Sequence, residues 1–268
     1  MLEKPQPIRI SKGSSFNSLE NDKEMPLVDH IEELRQRVIK SLICVIISAF
    51  ISLVFVRNIV RILEIPAGSI QFLQLAPGEF LFVSIKVAGY VGLTISLPYI
   101  LFQGLLFVLP GLKNNERKLI PIIVAGSGIL FFIGIFFSWS MLIPAALKFL
   151  INFGADVVEP IWSIEKYIEF VLLLMLATGL AFQVPILQLL LGISGLITWK
   201  KMIKAWRLVV ISSAIFSAVL TPSTDPITML ILTGAIGALF LLGVGLVALT
   251  DKIKEQIPLT SHPPSTPN

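Results

Sequence analysis

Asp29 to Lys40 reads DHIEELRQRVIK and leads straight into the uncharged run SLICVIISAF. Acids at such an entry need a reason, because lysine and arginine are the usual flank of a membrane span on its cytoplasmic side. Asp29 and Glu32 fit a capping box, with Asp29 as N-cap and Glu32 three residues on. Glu33 has no cap to serve. One reading is a solvated i,i+4 pair with Arg37, worth about 0.2–0.5 kcal/mol. The other is a receptor for a cation from outside the chain, since a carboxylate takes an arginine through a planar two-bond fork. Glu116, alone in the basic stretch KNNERK, poses the same choice between a helix-end acid and a cation receptor.

Other polar residues sit in or beside apolar runs. Gln183 in GLAFQVP either hydrogen-bonds a neighbouring helix or lines a polar path. Lys86 reads as a snorkelling side chain, Glu79 after Pro77 and Gly78 as an interfacial cap, and Asp225 in LTPSTDP as a turn residue. Cys44 is the single cysteine and reads as a small buried hydrophobe. His30 and His262 are far apart, and no metal spacing, nucleotide motif or catalytic triad is visible.

The elements that must position these residues are membrane spans. Of the 268 residues, 55% are hydrophobic and 14% are charged, with a mean hydropathy of +0.87. Soluble domains carry about 25% charge. Six apolar segments stand out, at roughly 38–56, 80–109, 119–153, 167–191, 206–220 and 227–249. Pro98 and Pro144 predict kinks or bends, and Gln183 and Pro185 fall in the interior of the fourth segment. The fifth and sixth segments read as short. The polar stretches 1–25 and 251–268 read as tails around a domain at 26–250.

Arg35, Arg37, Lys40, Lys113, Arg117, Lys118, Lys200, Lys201, Lys204, Arg207, Lys252 and Lys254 fall on one side of the segments. Arg57, Arg61, Lys148 and Lys166 fall on the other. The bias predicts both termini in the cytoplasm. A net charge of +4 fits anionic headgroups, and no basic stripe interleaved with aromatics points to nucleic acid.

MPLVDHIEELRQRV, LFVLPGLKNNERK, GLAFQVPI and VLTPSTDP occur here in the order and spacing of a known family. Over roughly 25–249 the chain resembles TatC, the multispanning receptor of the twin-arginine protein translocase. The resemblance implies an all-α integral membrane protein of six transmembrane helices, arranged as a concave, cupped bundle. It implies a receptor that binds the twin-arginine signal peptides of folded cargo and recruits single-span TatA/TatB-type subunits. Transport would be driven by the proton gradient, in an oligomeric complex without enzymatic activity or a cofactor. The family's signal-peptide residues fall on Glu33, Arg35, Glu116 and Phe107, its turn aspartate on Asp225 and its external-loop proline on Pro66. Many bacterial members carry a glutamate where this chain has Gln183. FQVP with LTPSTDP looks like the cyanobacterial and plastid branch, which implies a plasma or thylakoid membrane. The alternative reading is a secondary transporter for a small solute. Against it, intramembrane ionisable groups are few, and no broken helices occur in matching halves. A membrane-embedded enzyme would show clustered His, Asp or Ser within its spans.

Overall fold

A computed structural model describes residues 27–68, 70–108, 120–153, 161–220 and 225–256. It is a bundle of helices. α1 (Leu27–Val54) is followed by a short amphipathic helix, α2 (Val56–Glu64), a 3-10 turn at Ile65–Ala67 and the strand β1 (Gln71–Leu73). α3 (Glu79–Val108) runs continuously through Pro98. α4 (Ile120–Phe137) passes through a π-helical turn, Ser138–Leu142, into α5 (Ile143–Phe153). The turn lies just ahead of Pro144, whose missing N–H and ring bulk disturb the ladder at the preceding turn. β2 (Ile161–Ser163) then pairs in parallel with β1, with Phe72 opposite Trp162.

The fourth apolar segment is broken. α6 (Ile164–Ala181) stops at a turn of Phe182 and Gln183, and α7 (Val184–Ile193) starts again with Pro185 in its first turn. Pro185 cannot donate to the Ala181 carbonyl, so the helix ends where the sequence places the proline. α8 (Trp199–Lys204), α9 (Trp206–Leu220) and α10 (Pro226–Gln256) are the last of the described elements.

Five stretches are long and apolar enough to cross a membrane: Ile31–Val54, Glu79–Phe107, Pro121–Phe153, Ile164–Ile193 and Pro226–Lys252. α9 is the sixth apolar helix and is shorter, with 15 residues. The sixth segment is not short, since α10 has 31 residues and runs past the expected domain edge at 250. Asp29 is not an N-cap, because α1 is already helical from Leu27.

The core lies where α2, α3, α5, α6 and α10 meet, around Val83, Val87, Leu142, Ile143, Val171, Leu174 and Leu232. α1 stands outside it. Most of its apolar side chains, Ile43, Ile47 and Phe50 among them, are exposed for lipid. α1 is held against α3 by close approach: a Cβ on Gly92 would lie 2.6 Å from the Ala49 backbone. Beside that contact, Ser96 Oγ donates to Ser48 Oγ at 3.0 Å.

Candidate functional site

α1 and α3 run antiparallel, and a chain of polar side chains joins them near the start of one and the end of the other. Glu33 and Arg37 are one turn apart on α1, which aims both side chains along one face. Arg37 donates to Glu33 Oε1 from Nε at 3.1 Å and also from Nη2. Its Nη1 donates to Gln103 Oε1 on α3 at 3.3 Å. Gln103 Nε2 in turn donates to the Tyr99 hydroxyl at 2.7 Å, one turn back along α3. Glu33 and Arg37 are only 24% and 20% exposed. Arg35 points elsewhere; it is 67% exposed and pairs with Glu32 at 2.6 Å. Gln36 also donates to Glu32 Oε1, at 3.3 Å. Glu32 thus serves a pair with Arg35 in place of the expected cap.

Phe107 lies one turn beyond Gln103, in the last turn of α3. Four residues back along α1 from Arg37 and four on along α3 from Gln103, Glu33 and Phe107 reach the same level of the bundle. Glu116 lies outside the described residues.

Gln183 sits mid-bundle at the break between α6 and α7 and is 5% exposed. Its Oε1 accepts from Ser127 Oγ at 2.7 Å, and its Nε2 donates to the Ser127 carbonyl at 3.2 Å. Of the two sequence readings for Gln183, these contacts match the helix-to-helix hydrogen bond, here with α4.

The remaining candidates stand at the far end. Pro66 is half-buried in the 3-10 turn after α2. Asp225 is 2% exposed and caps α10. Its Oδ1 accepts from the Ile227 N–H at 2.9 Å, and its Oδ2 accepts from the Thr228 hydroxyl at 2.7 Å and N–H at 3.3 Å. An aspartate followed by proline at the first helical position carries that signature. Glu79 is 4% exposed and accepts from the N–H groups of Leu75, Ala76 and Glu165 and from the Ser163 hydroxyl. It therefore ties the loop before α3 to the start of α6, beside the β1–β2 pair.

Lys86 is not a bare snorkelling cation; it pairs with Glu165 at 2.7 Å and Glu169 at 3.7 Å on α6. On α2, burial pushes the Glu64 carboxyl above its ordinary value, and Arg61 one turn away opposes that. Tyr167 and Trp139 donate to the Leu63 and Ile62 carbonyls near the end of α2.

Sequence reasoning missed Gln103, Tyr99 and Ser127. Two polar residues at i,i+4 within an apolar span were the available signal for the first two. Ser127 carried no signal beyond being a small polar residue.

This is a polytopic helical membrane protein with polar groups at both ends, a carboxylate–guanidinium pair at one end and a hydrogen-bonded helix break between them. The family profile described as Sec-independent protein translocase protein (TatC) matches residues 29–234. A Sec-independent protein translocase protein TatC from Synechocystis sp. is 50% identical over 88% of this chain and 93% of that protein. A chloroplastic TATC from Oryza sativa subsp. japonica is 48% identical over 94% of this chain and 76% of its own length. A crystal structure of a twin-arginine translocase receptor TatC superposes with a TM-score of 0.74 at 30% identity, covering 83% of this chain and 99% of that one. The chain belongs to the TatC family, the receptor subunit of the twin-arginine protein translocase. It is a multi-pass membrane protein whose relatives include cyanobacterial and chloroplastic TatC proteins.

Proposed function

We propose that Glu33, with Phe107 and Glu116, receives the paired arginines of a cargo signal peptide. One observation carries this reading: the Glu33 carboxylate already takes two N–H groups from a guanidinium, that of Arg37. A side chain seated to hold one guanidinium has the shape and charge to hold another. Arg35, exposed and paired with Glu32, lies at the rim of this surface. The Lys/Arg bias puts this end, and both termini, in the cytoplasm, where cargo presents its signal peptide. Single-span TatA/TatB-type subunits and further copies of this chain complete the machine, and the proton gradient drives transport without catalysis by this subunit. Gln183, Asp225 and Pro66 hold the scaffold.

The test is binding of a synthetic twin-arginine peptide, and its twin-lysine version, to the full chain in lipid nanodiscs. Glu33→Gln and Glu116→Gln should each weaken the arginine peptide roughly tenfold to a hundredfold, the worth of a charge-assisted hydrogen bond. Glu32→Gln should change it little. Parent-like binding by both variants would refute the assignment.

A further inference from the structure

We infer that the corner between α8 and α9 binds one anionic glycerophospholipid, with its phosphate on Lys200, Lys204 and Arg207, an acyl chain in the cleft beside α9, and an ester carbonyl on Gln188. The inference does not depend on the assignment of Glu33.

The charge comes first. Lys200, Lys201, Lys204 and Arg207 fall within eight residues, and all four are exposed. Among the described residues, none of the four is ion-paired with a carboxylate. Two are backed by indole rings. Lys200 Nζ lies 5.7 Å from the centre of the Trp199 ring, and Arg207 Cζ lies 5.7 Å from that of Trp206. Met202 is buried in a cluster with Phe240, Val244 and Val247 of α10, so α8 is anchored from below while its cations face out.

The corner also lies at headgroup depth. α9 has 15 residues, and such a helix is about 22 Å long against a hydrocarbon core of roughly 30 Å. Trp206 is 51% exposed, and Leu208, just beyond Arg207, is 69% exposed for lipid. Tryptophan and basic side chains together mark the membrane interface.

Beneath the charges is a cleft of about 640 Å³, lined by Val184, Val209, Ser212, Phe216, Ile236 and Phe240. From Val209 to Phe216 it follows α9 for about 10 Å, starting half a turn below Arg207. A chain hung from a phosphate at α8 takes that path. Gln188 borders the same cleft; it is 7% exposed, and neither of its amide atoms has a hydrogen-bond partner. A buried amide without a partner is costly, so the site calls for a ligand that can hydrogen-bond to it. The carboxamide lies against Gly243, where there is no room for a Cβ. Gly243 is one turn of α10 from Val247, which clusters with Met202, so the amide sits about 6 Å below α8. A phospholipid held by its phosphate at α8 carries its ester carbonyls down toward that level, where Gln188 Nε2 can donate to one.

The experiment is native mass spectrometry of the full chain in detergent, after exchange with phosphatidylglycerol or with phosphatidylcholine of identical chains. One phosphatidylglycerol should stay bound per chain, and phosphatidylcholine should be retained at least tenfold less. In Lys200→Gln/Lys204→Gln/Arg207→Gln, retention of phosphatidylglycerol should fall at least tenfold, since each basic side chain at a membrane surface is worth about fivefold. Gln188→Leu should lower it severalfold. Ser212→Phe leaves every charge in place and fills the cleft; retention should fall severalfold again, and Ser212→Leu takes its place if that protein does not fold. Arg57→Gln/Arg61→Gln, at the other end of the bundle, should leave retention unchanged. Glycerol phosphate, which has the phosphate but no chains, should not displace the lipid. Equal retention of the two lipids, or parent-like retention by the triple variant, overturns the inference. An equal loss in the Arg57/Arg61 protein overturns it too, because net charge alone would then attract the lipid. Displacement by glycerol phosphate would make this a phosphate site and not a lipid site. Parent-like retention by both Gln188→Leu and the Ser212 variant also overturns it, because the lipid would then not enter the cleft.

Discussion

Gln183 decides whether the middle of this bundle is a hydrogen-bonded scaffold or a polar path. The side chain makes two contacts with one residue, Ser127: it accepts from the hydroxyl at 2.7 Å and donates to the backbone carbonyl at 3.2 Å. Gln183→Leu removes both while keeping the volume apolar. Intramembrane hydrogen bonds measured by double-mutant cycles average about 0.6 kcal/mol and reach about 1.7. Two of them, buried at a helix break that already lacks one backbone bond, put the cost of Gln183→Leu at about 1–3 kcal/mol. Ser127→Ala removes only the hydroxyl bond, because the carbonyl stays. The cycle of Gln183→Leu, Ser127→Ala and the double variant therefore isolates that bond, with an expected coupling of about 0.6–1.7 kcal/mol. The assay is reversible unfolding in lipid or mild detergent, with cargo transport measured on the same variants. Transport should fall only as far as the amount of folded receptor falls. Negligible coupling, together with loss of transport by a fully folded Gln183→Leu protein, would refute the scaffold reasoning and put a polar path in its place.

Two further outcomes follow from contacts elsewhere. Gly92→Ala would set a Cβ 2.6 Å from the Ala49 backbone, where neither helix can yield without moving; overpacking of this kind costs about 1–3 kcal/mol. With Cys44 replaced, cysteines at Ser48 and Ser96, whose hydroxyl oxygens are 3.0 Å apart, should crosslink readily in the parent and poorly in the Gly92→Ala protein. Undiminished crosslinking would mean that α1 and α3 are not held at that distance. At the far end, Glu79→Gln leaves an NH2 group facing donors, so exchange of the Leu75 and Ala76 amides with deuterium should quicken by roughly tenfold to a hundredfold. Unchanged protection would show that Glu79 does not hold that loop.

The spans were legible because long apolar runs report themselves, and α9 falls on the expected 206–220. The break at Gln183 was not read from the sequence, although Pro185, which cannot continue the ladder, was its available signal. α2 was missed, although Val56, Val60 and Leu63 recur at helical spacing and are all buried, because nine residues beside a loop form too short a pattern. The β1–β2 pair was invisible for a different reason: its strands are three residues each, and Gln71 pairs with Ile161. The partners of Lys86 are equally remote, on α6. At the site, the Glu33–Arg37 pair could be read from i,i+4 spacing, but no local rule leads from Arg37 to Gln103, 66 positions away.

These misses bear on function, because they separate the two ends of the bundle by what their carboxylates hold. At the far end, Asp225 accepts from backbone N–H groups and a hydroxyl of its own helix start, and Glu79 accepts from N–H groups of its own loop and from Ser163 and Glu165 at the start of α6. Such donors cannot leave without unfolding the segment that carries them. Glu33 accepts instead from a long side chain with its own torsional freedom and a second acceptor within reach. Arg37 can turn between Glu33 and Gln103 while the helices stay in place. Binding of a signal-peptide guanidinium there, as proposed, would require such an exchange. The same residue type therefore meets fixed donors at one end and a turning side chain at the other, and the difference lies in the donor.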